Sequence, residues 1–123
     1  MAAAPVVWFE VTGKDEKKLQ SFYSKIFDWK INADNPMNYG MVDAAANGTA
    51  VGSGSIGGGI GPAQPGAPGY VTFYVQVNDP DAYLKKIESL GGKTIMPTTE
   101  IPNMVTFALF QDPEGNMVGL VKG

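Results

Sequence analysis

The sequence predicts an α+β domain made of two copies of one βαβββ module. A strand feeding an amphipathic helix occupies residues 6–27 and returns at residues 70–90. Short apolar, strand-like segments follow each copy. The chain's 123 residues can bury one real core but not two independent ones, so the copies are expected to form a single domain. Module one is expected at about 5–61, a linker at about 62–68 and module two at about 69–123.

Residues 6–12 open the first copy as a β-branched, aromatic strand that carries Trp8 and Glu10. Asp15 is the expected N-cap of the next element. There Leu19, Phe22, Tyr23, Ile26 and Phe27 recur at the spacing of one helical face, which predicts a buried stripe. Strand signals follow at 29–31, 39–42 and, weakened by glycine, 55–60. In the second copy Val71, Phe73, Val75 and Val77 alternate with Tyr70, Thr72, Tyr74 and Gln76. Asp79-Pro80 caps a helix with the stripe Tyr83, Leu84, Ile87 and Leu90, and Gly91-Gly92 ends it. Strands are predicted at 93–96, 105–110 and 117–121.

Composition excludes several functions. A net charge of −3 with no arginine argues against nucleic acid or an anionic membrane as partner. Cysteine and histidine are both absent, which removes thiolate chemistry, the commonest metal ligand and the usual general base. No signal-peptide pattern or membrane-length apolar run is present, so a cytoplasmic location is expected.

Two motifs have plain explanations. Gly52-Ser53-Gly54-Ser55-Ile56-Gly57 matches a dinucleotide-loop spacing but lacks the strand before it and the helix after it. Asp112-Pro113-Glu114-Gly115-Asn116 reads as a reverse turn rather than a carboxylate metal site. Glu10 is the acid of interest. On an enclosed face it suits proton transfer or ligand binding, and at a strand rim it is merely solvated.

Phe22-Tyr23-Ser24-Lys25-Ile26-Phe27-Asp28-Trp29 resembles the FYxxxFGW signature of the vicinal oxygen chelate superfamily, the glyoxalase, bleomycin-resistance and extradiol-dioxygenase group. The DPxGN-like turn at 112–116 with its last strand, and residues 74–93, resemble two further family segments. The resemblance implies a curved, barrel-like mixed sheet with a central cleft and two outer helices. It also implies a divalent metal, whose ligands would fall on Trp8, Thr72, Gly119 and the Gly57–Gly59 run. Indole, a lone hydroxyl and glycine are poor or impossible ligands, so no metal and no cofactor is expected.

Trp8 and Thr72 are equivalent in the two modules, and their faces are expected to line the cleft. The expected ligand-binding residues are Trp8, Glu10, Thr72, Tyr74 and Gln76, with Gly119 and the Gly57–Gly59 run leaving room. The expected function is metal-independent binding of a small organic molecule, which the protein sequesters or senses. The alternative is a glyoxalase-like lyase or isomerase with Glu10 as catalytic base or with an atypical metal site. A partner role is the third reading, and a homodimer is expected.

Overall fold

The computed structural model describes residues 3–42 and 56–123. The dinucleotide-like glycine motif begins outside the described residues. The chain divides into two compact units: Trp8–Val71, and Thr72–Gly123 together with the residues up to Val7.

The first unit runs β1 (Val6–Gly13), α1 (Glu16–Phe27), β2 (Ile31–Asn32), β3 (Gly40–Val42) and β4 (Gly57–Pro62). The second runs β5 (Val71–Val77), α2 (Pro80–Ser89), β6 (Lys93–Ile101), β7 (Val105–Gln111) and β8 (Met117–Lys122). Strand order is β2-β3-β4-β1 in one and β6-β7-β8-β5 in the other, the same arrangement twice. In each, the opening strand lies parallel to the closing strand and the remaining neighbours are antiparallel. The duplicated βαβββ order and the α+β class are as the sequence predicts. The start of β1 groups with the second unit, where the Gln76 amide donates to the Pro5 carbonyl at 2.9 Å.

Local chemistry explains the helix limits. Asp15 accepts from the Lys18 amide at 3.1 Å, and Asp79 accepts from the Ala82 amide at 3.3 Å with Pro80 at the first helical position. Gly91 takes a φ of 99° as the chain leaves α2, a conformation that costs glycine little. No helix among the described residues is long and apolar enough to cross a membrane.

Each unit has its own core. Val11, Val42 and Ile60 are buried in the first, packed by Phe9, Leu19, Tyr23, Trp29 and Ile31. Trp29 gathers the aromatic rings, with centroids of Phe9, Tyr23 and Phe27 at 5.4, 5.9 and 5.1 Å. Val77, Leu84, Ala108 and Leu120 form the core of the second. β6 runs past its predicted end and through Pro97. It is the outer strand of its unit, and a bulge between Met96 and Thr99 absorbs the missing donor.

The predicted stripe of α1 is only half covered. Leu19 and Tyr23 pack on the sheet, while Phe22, Ile26 and Phe27 remain 54%, 52% and 54% exposed. The five residues span a wider arc than a sheet with two- and three-residue strands can cover. Phe22→Ser is therefore expected to change stability by less than about 1 kcal/mol, because little apolar area is lost from the core. Urea unfolding checks this, and a loss typical of a buried phenylalanine would refute it.

Residues 112–116 form a turn, as the sequence predicts. Asp112 Oδ1 accepts from the Glu114 and Asn116 amides, each at 2.9 Å, and Oδ2 accepts from Asn116 Nδ2 at 2.9 Å. These bonds, the Asn116 side chain first, hold the Asp112 carboxyl below its usual range.

Candidate functional site

Alternation along β1 sends Phe9 and Val11 toward α1, and Trp8, Glu10 and Thr12 to the opposite face. The register pairs these three with Gly57, Gly59 and Gly61 of β4. On this helix-free face the first unit assembles a polar chain. Trp8 Nε1–H donates to the Tyr39 hydroxyl at 3.0 Å, Tyr39 donates to Glu10 Oε2 at 2.8 Å, and Tyr70 donates to Glu10 Oε1 at 2.6 Å. Glu10 is 8% exposed.

The direction of these bonds is forced. An indole N–H can only donate, so the Tyr39 oxygen must accept from it and must spend its own proton on Glu10. Both Glu10 oxygens therefore act as acceptors toward phenols. Burial, and next the nearby Glu10 charge, push the Tyr39 hydroxyl far above its ordinary value of 10.0. Tyr39 thus stays protonated in the folded protein where an unfolded chain would ionise. Stability is unaffected by this group below pH 10 and falls as pH rises beyond it, because only the unfolded state then releases the proton. Tyr39→Phe is expected to flatten that alkaline decline. Denaturation between pH 9 and 11 measures the slope, and an unchanged slope would contradict the assignment.

Local structure holds each phenol in place. The Asn35 side chain clasps the Tyr39 backbone both ways, accepting from its amide at 3.0 Å and donating to its carbonyl at 2.7 Å. The Tyr39 ring then lies across β4, where a Cβ on Gly59 or Gly61 would collide with it. Tyr70 is anchored to β1 by Thr12 N–H to the Tyr70 carbonyl at 2.9 Å and Tyr70 N–H to the Thr12 hydroxyl at 3.1 Å. Gly69 permits this approach, since a Cβ there would strike the Thr12 carbonyl.

The sequence-predicted residues divide between the units. Trp8 and Glu10 are brought together in the first. In the second, Thr72 is buried with its hydroxyl donating to the Met117 carbonyl at 2.6 Å, a backbone tie. Tyr74 is buried with its ring over Gly119, and Gln76 is exposed beside Gly123. The expectation that Gly119 and the Gly57–Gly59 run leave room is corrected. Aromatic rings of Tyr74, Tyr39 and Phe9 occupy the space over Gly119, Gly59 and Gly58, because a residue without Cβ lets a neighbouring ring settle on the backbone. The expectation of core burial likewise fails for Phe22, Ile26 and Phe27 in the first helical stripe and for Tyr83 and Leu90 in the second, all of which are exposed.

Tyr39 is the member of this hydrogen-bonded face that sequence reasoning misses, and Tyr70 falls on the wall by alternation without an assigned role. The available signal is the alternate-position glycines 57, 59 and 61, which mark a strand face that some large ring must cover. An open groove of about 310 Å³ at the β6–β7 hairpin, lined by residues such as Glu100, Met104 and Lys122, contains none of the predicted residues.

The residues at the family's metal positions do not fit a divalent ion. Trp8 offers a committed N–H, the Thr72 hydroxyl is spent on a carbonyl, and a ring covers Gly119. Among the described residues no three His, Cys, Asp or Glu side chains cluster.

Comparison with known proteins agrees with this architecture. A putative glyoxylase, CFP32, of Mycobacterium tuberculosis is 32% identical over 122 residues, covering 92% of this chain and 43% of its own length. The anthracycline biosynthesis protein DauV of a Streptomyces species is 30% identical, covering 88% of this chain and 43% of its own. The chain thus spans less than half the length of these relatives. A solved glyoxalase/bleomycin resistance protein/dioxygenase superfamily member from Vibrio splendidus shares the fold at a TM-score of 0.62 and 14% identity, over 98% of this chain and 100% of that one. Methylmalonyl-CoA epimerase from Mycobacterium tuberculosis does so at 0.64 and 13%, over 99% and 91%. The family model for the Glyoxalase/Bleomycin resistance protein/Dioxygenase superfamily matches residues 6–120, and the chain belongs to that superfamily.

Proposed function

We propose that this chain binds a small organic molecule without a metal ion, holding it against the Trp8–Tyr39–Glu10–Tyr70 face to sequester or sense it. The observation that carries the reading is the directed chain of hydrogen bonds that starts at Trp8, one of the positions the family resemblance gives to a metal ligand, and ends on the buried Glu10 carboxylate. Indole and phenol rings supply apolar stacking area, and the carboxylate supplies one strongly polar point for orientation. Two of the relatives serve anthracycline biosynthesis, a chemistry of fused aromatic rings, which suits such a wall. Thr72, Tyr74 and Gln76 are secondary in this reading, since the first two are committed to packing and backbone ties.

The test uses Trp29→Phe, which leaves Trp8 as the only tryptophan of the two. Chelator-treated protein is expected to show a saturable change in Trp8 emission with fused-ring aromatic ligands. Binding that appears only after a divalent ion is added would end the metal-free reading.

The relatives named putative glyoxylases favour a second reading, a lyase or isomerase with Glu10 as base. Against it, a proton arriving on Glu10 must displace or reverse a phenol bond at whichever oxygen receives it. Deuterium exchange into the carbon acid of a candidate substrate in D2O, lost in Glu10→Gln, would favour the enzyme.

A further inference from the structure

We infer that the groove at the β6–β7 hairpin is a second binding site, and that it takes an amino-acid zwitterion with an apolar side chain. The groove lies wholly within the second unit and shares no residue with the Trp8–Tyr39–Glu10–Tyr70 face.

Strand register builds it. Glu100 on β6 pairs with Thr106 on β7, and the Phe107–Val121 pairing carries Lys122 on β8 to the other side of Thr106. Paired residues share a sheet face, so a carboxylate, a hydroxyl and an ammonium form one row across three neighbouring strands. At the usual strand spacing the two charged residues stand about 10 Å apart along the backbone row. Thr106 shares its face with Ala108 and Phe110, which pack with Leu84 of α2, but no α2 residue lines the groove. The hairpin supplies the rest of the lining. The Met104 amide donates to the Ile101 carbonyl at 3.0 Å, and Pro102 is followed by Asn103 at a φ of 64°. Proline and then asparagine in the left-handed region make the type II turn pattern, a fixed geometry for Asn103 and Met104.

The chemistry of the lining names the ligand. Ile101, Met104 and Val105 give apolar surface, and Met104 is 57% exposed on a side chain that adapts to what it meets. Among the described residues, the side chains of Glu100, Asn103, Thr106 and Lys122 have no hydrogen-bond or ion-pair partner. They differ in this from the Trp8 face, where the indole and both phenol donors are spent within the protein. A lone cation drawn to Glu100 lies near Lys122, and a lone anion drawn to Lys122 lies near Glu100, so the field of the groove favours neither. A molecule that carries its own ammonium and carboxylate, turned so that each meets its opposite, gains from both. The volume of about 310 Å³ suits a ligand of that size.

The experiment compares L-phenylalanine with phenethylamine, which lacks its carboxylate, and 3-phenylpropionate, which lacks its amine. The Met104 methyl resonance reports binding, assigned by its loss in Met104→Leu. L-Phenylalanine is expected to bind about three- to fivefold more tightly than either analogue, the worth of one exposed charge contact, and added salt is expected to narrow the gap. Glu100→Gln is expected to remove its advantage over 3-phenylpropionate, and Lys122→Gln its advantage over phenethylamine. Both residues are exposed, so the two variants are expected to melt as the parent does. An analogue that binds as tightly as L-phenylalanine would overturn the zwitterion assignment, and so would an advantage that survives the matching substitution. If no probe moves the Met104 resonance at millimolar concentration, the groove is ordinary solvated surface and the inference fails. None of these results bears on the Trp8 face.

Discussion

Alanine in place of Glu10 is expected to weaken ligand binding at least about tenfold and to destabilise the fold by about 2 kcal/mol. The binding loss is the ordinary worth of one charge-assisted contact in a desolvated place. The stability loss has a different source. Tyr39 and Tyr70 both aim their hydroxyl protons at Glu10, and truncation removes that acceptor from each, at about 1–3 kcal/mol for a donor left unsatisfied. Relief from burying a carboxylate offsets part of that sum. Glu10→Gln separates the two effects. Trp8 locks the Tyr39 hydroxyl as a donor, so the glutamine oxygen must face Tyr39 and its amide must face Tyr70, whose hydroxyl can turn to accept. That variant is expected to fold within about 1 kcal/mol of the parent while losing the charge. Thermal melts of both variants check the pair, and equal destabilisation by alanine and glutamine would refute the directed hydrogen-bond chain.

Alanine at Gly59 is expected to cost about 2–3 kcal/mol, on the order of 10 °C in Tm, through a single added methyl. The methyl would land on the Tyr39 phenol, and the Asn35 clasp on the Tyr39 backbone leaves the ring little freedom to retreat. Displacing the ring also breaks the bonds from Trp8 and to Glu10, so the Trp8 indole resonance should shift with the loss of stability. The cost belongs to the pair rather than to the glycine. In the double-mutant cycle with Tyr39→Ala, the Gly59→Ala step should become nearly neutral. Additive costs would mean that the ring over Gly59 is not what excludes a side chain there.

The elements were legible because they rest on local rules. Asp15 and Asp79 cap helices by reaching amides three residues on, and alternation along β1 and β5 places each side chain without knowledge of the partner strand. Glu10 could be singled out for the same reason, as a carboxylate in an apolar strand. The covering of the glycines could not be read this way. A glycine in a strand says only that something approaches closely, and the ring that does so at Gly59 comes from Tyr39, twenty residues earlier, at a position with no periodic signal. Gly119 misled for the same reason, since a missing side chain suggests space until the Tyr74 ring is placed on it. The arc of Phe22, Ile26 and Phe27 was legible as apolar, but how much of it a small sheet could cover was not.

By itself the sequence determined the doubled βαβββ order, the family and the absence of imidazole and thiolate, because each follows from periodicity or composition along the chain. Only the tertiary structure decided that Glu10 is met by two phenols and that the glycines lie under rings. Those facts depend on which distant residues converge on one strand face, and hydrogen bonds between side chains 29 and 60 positions apart leave no local trace.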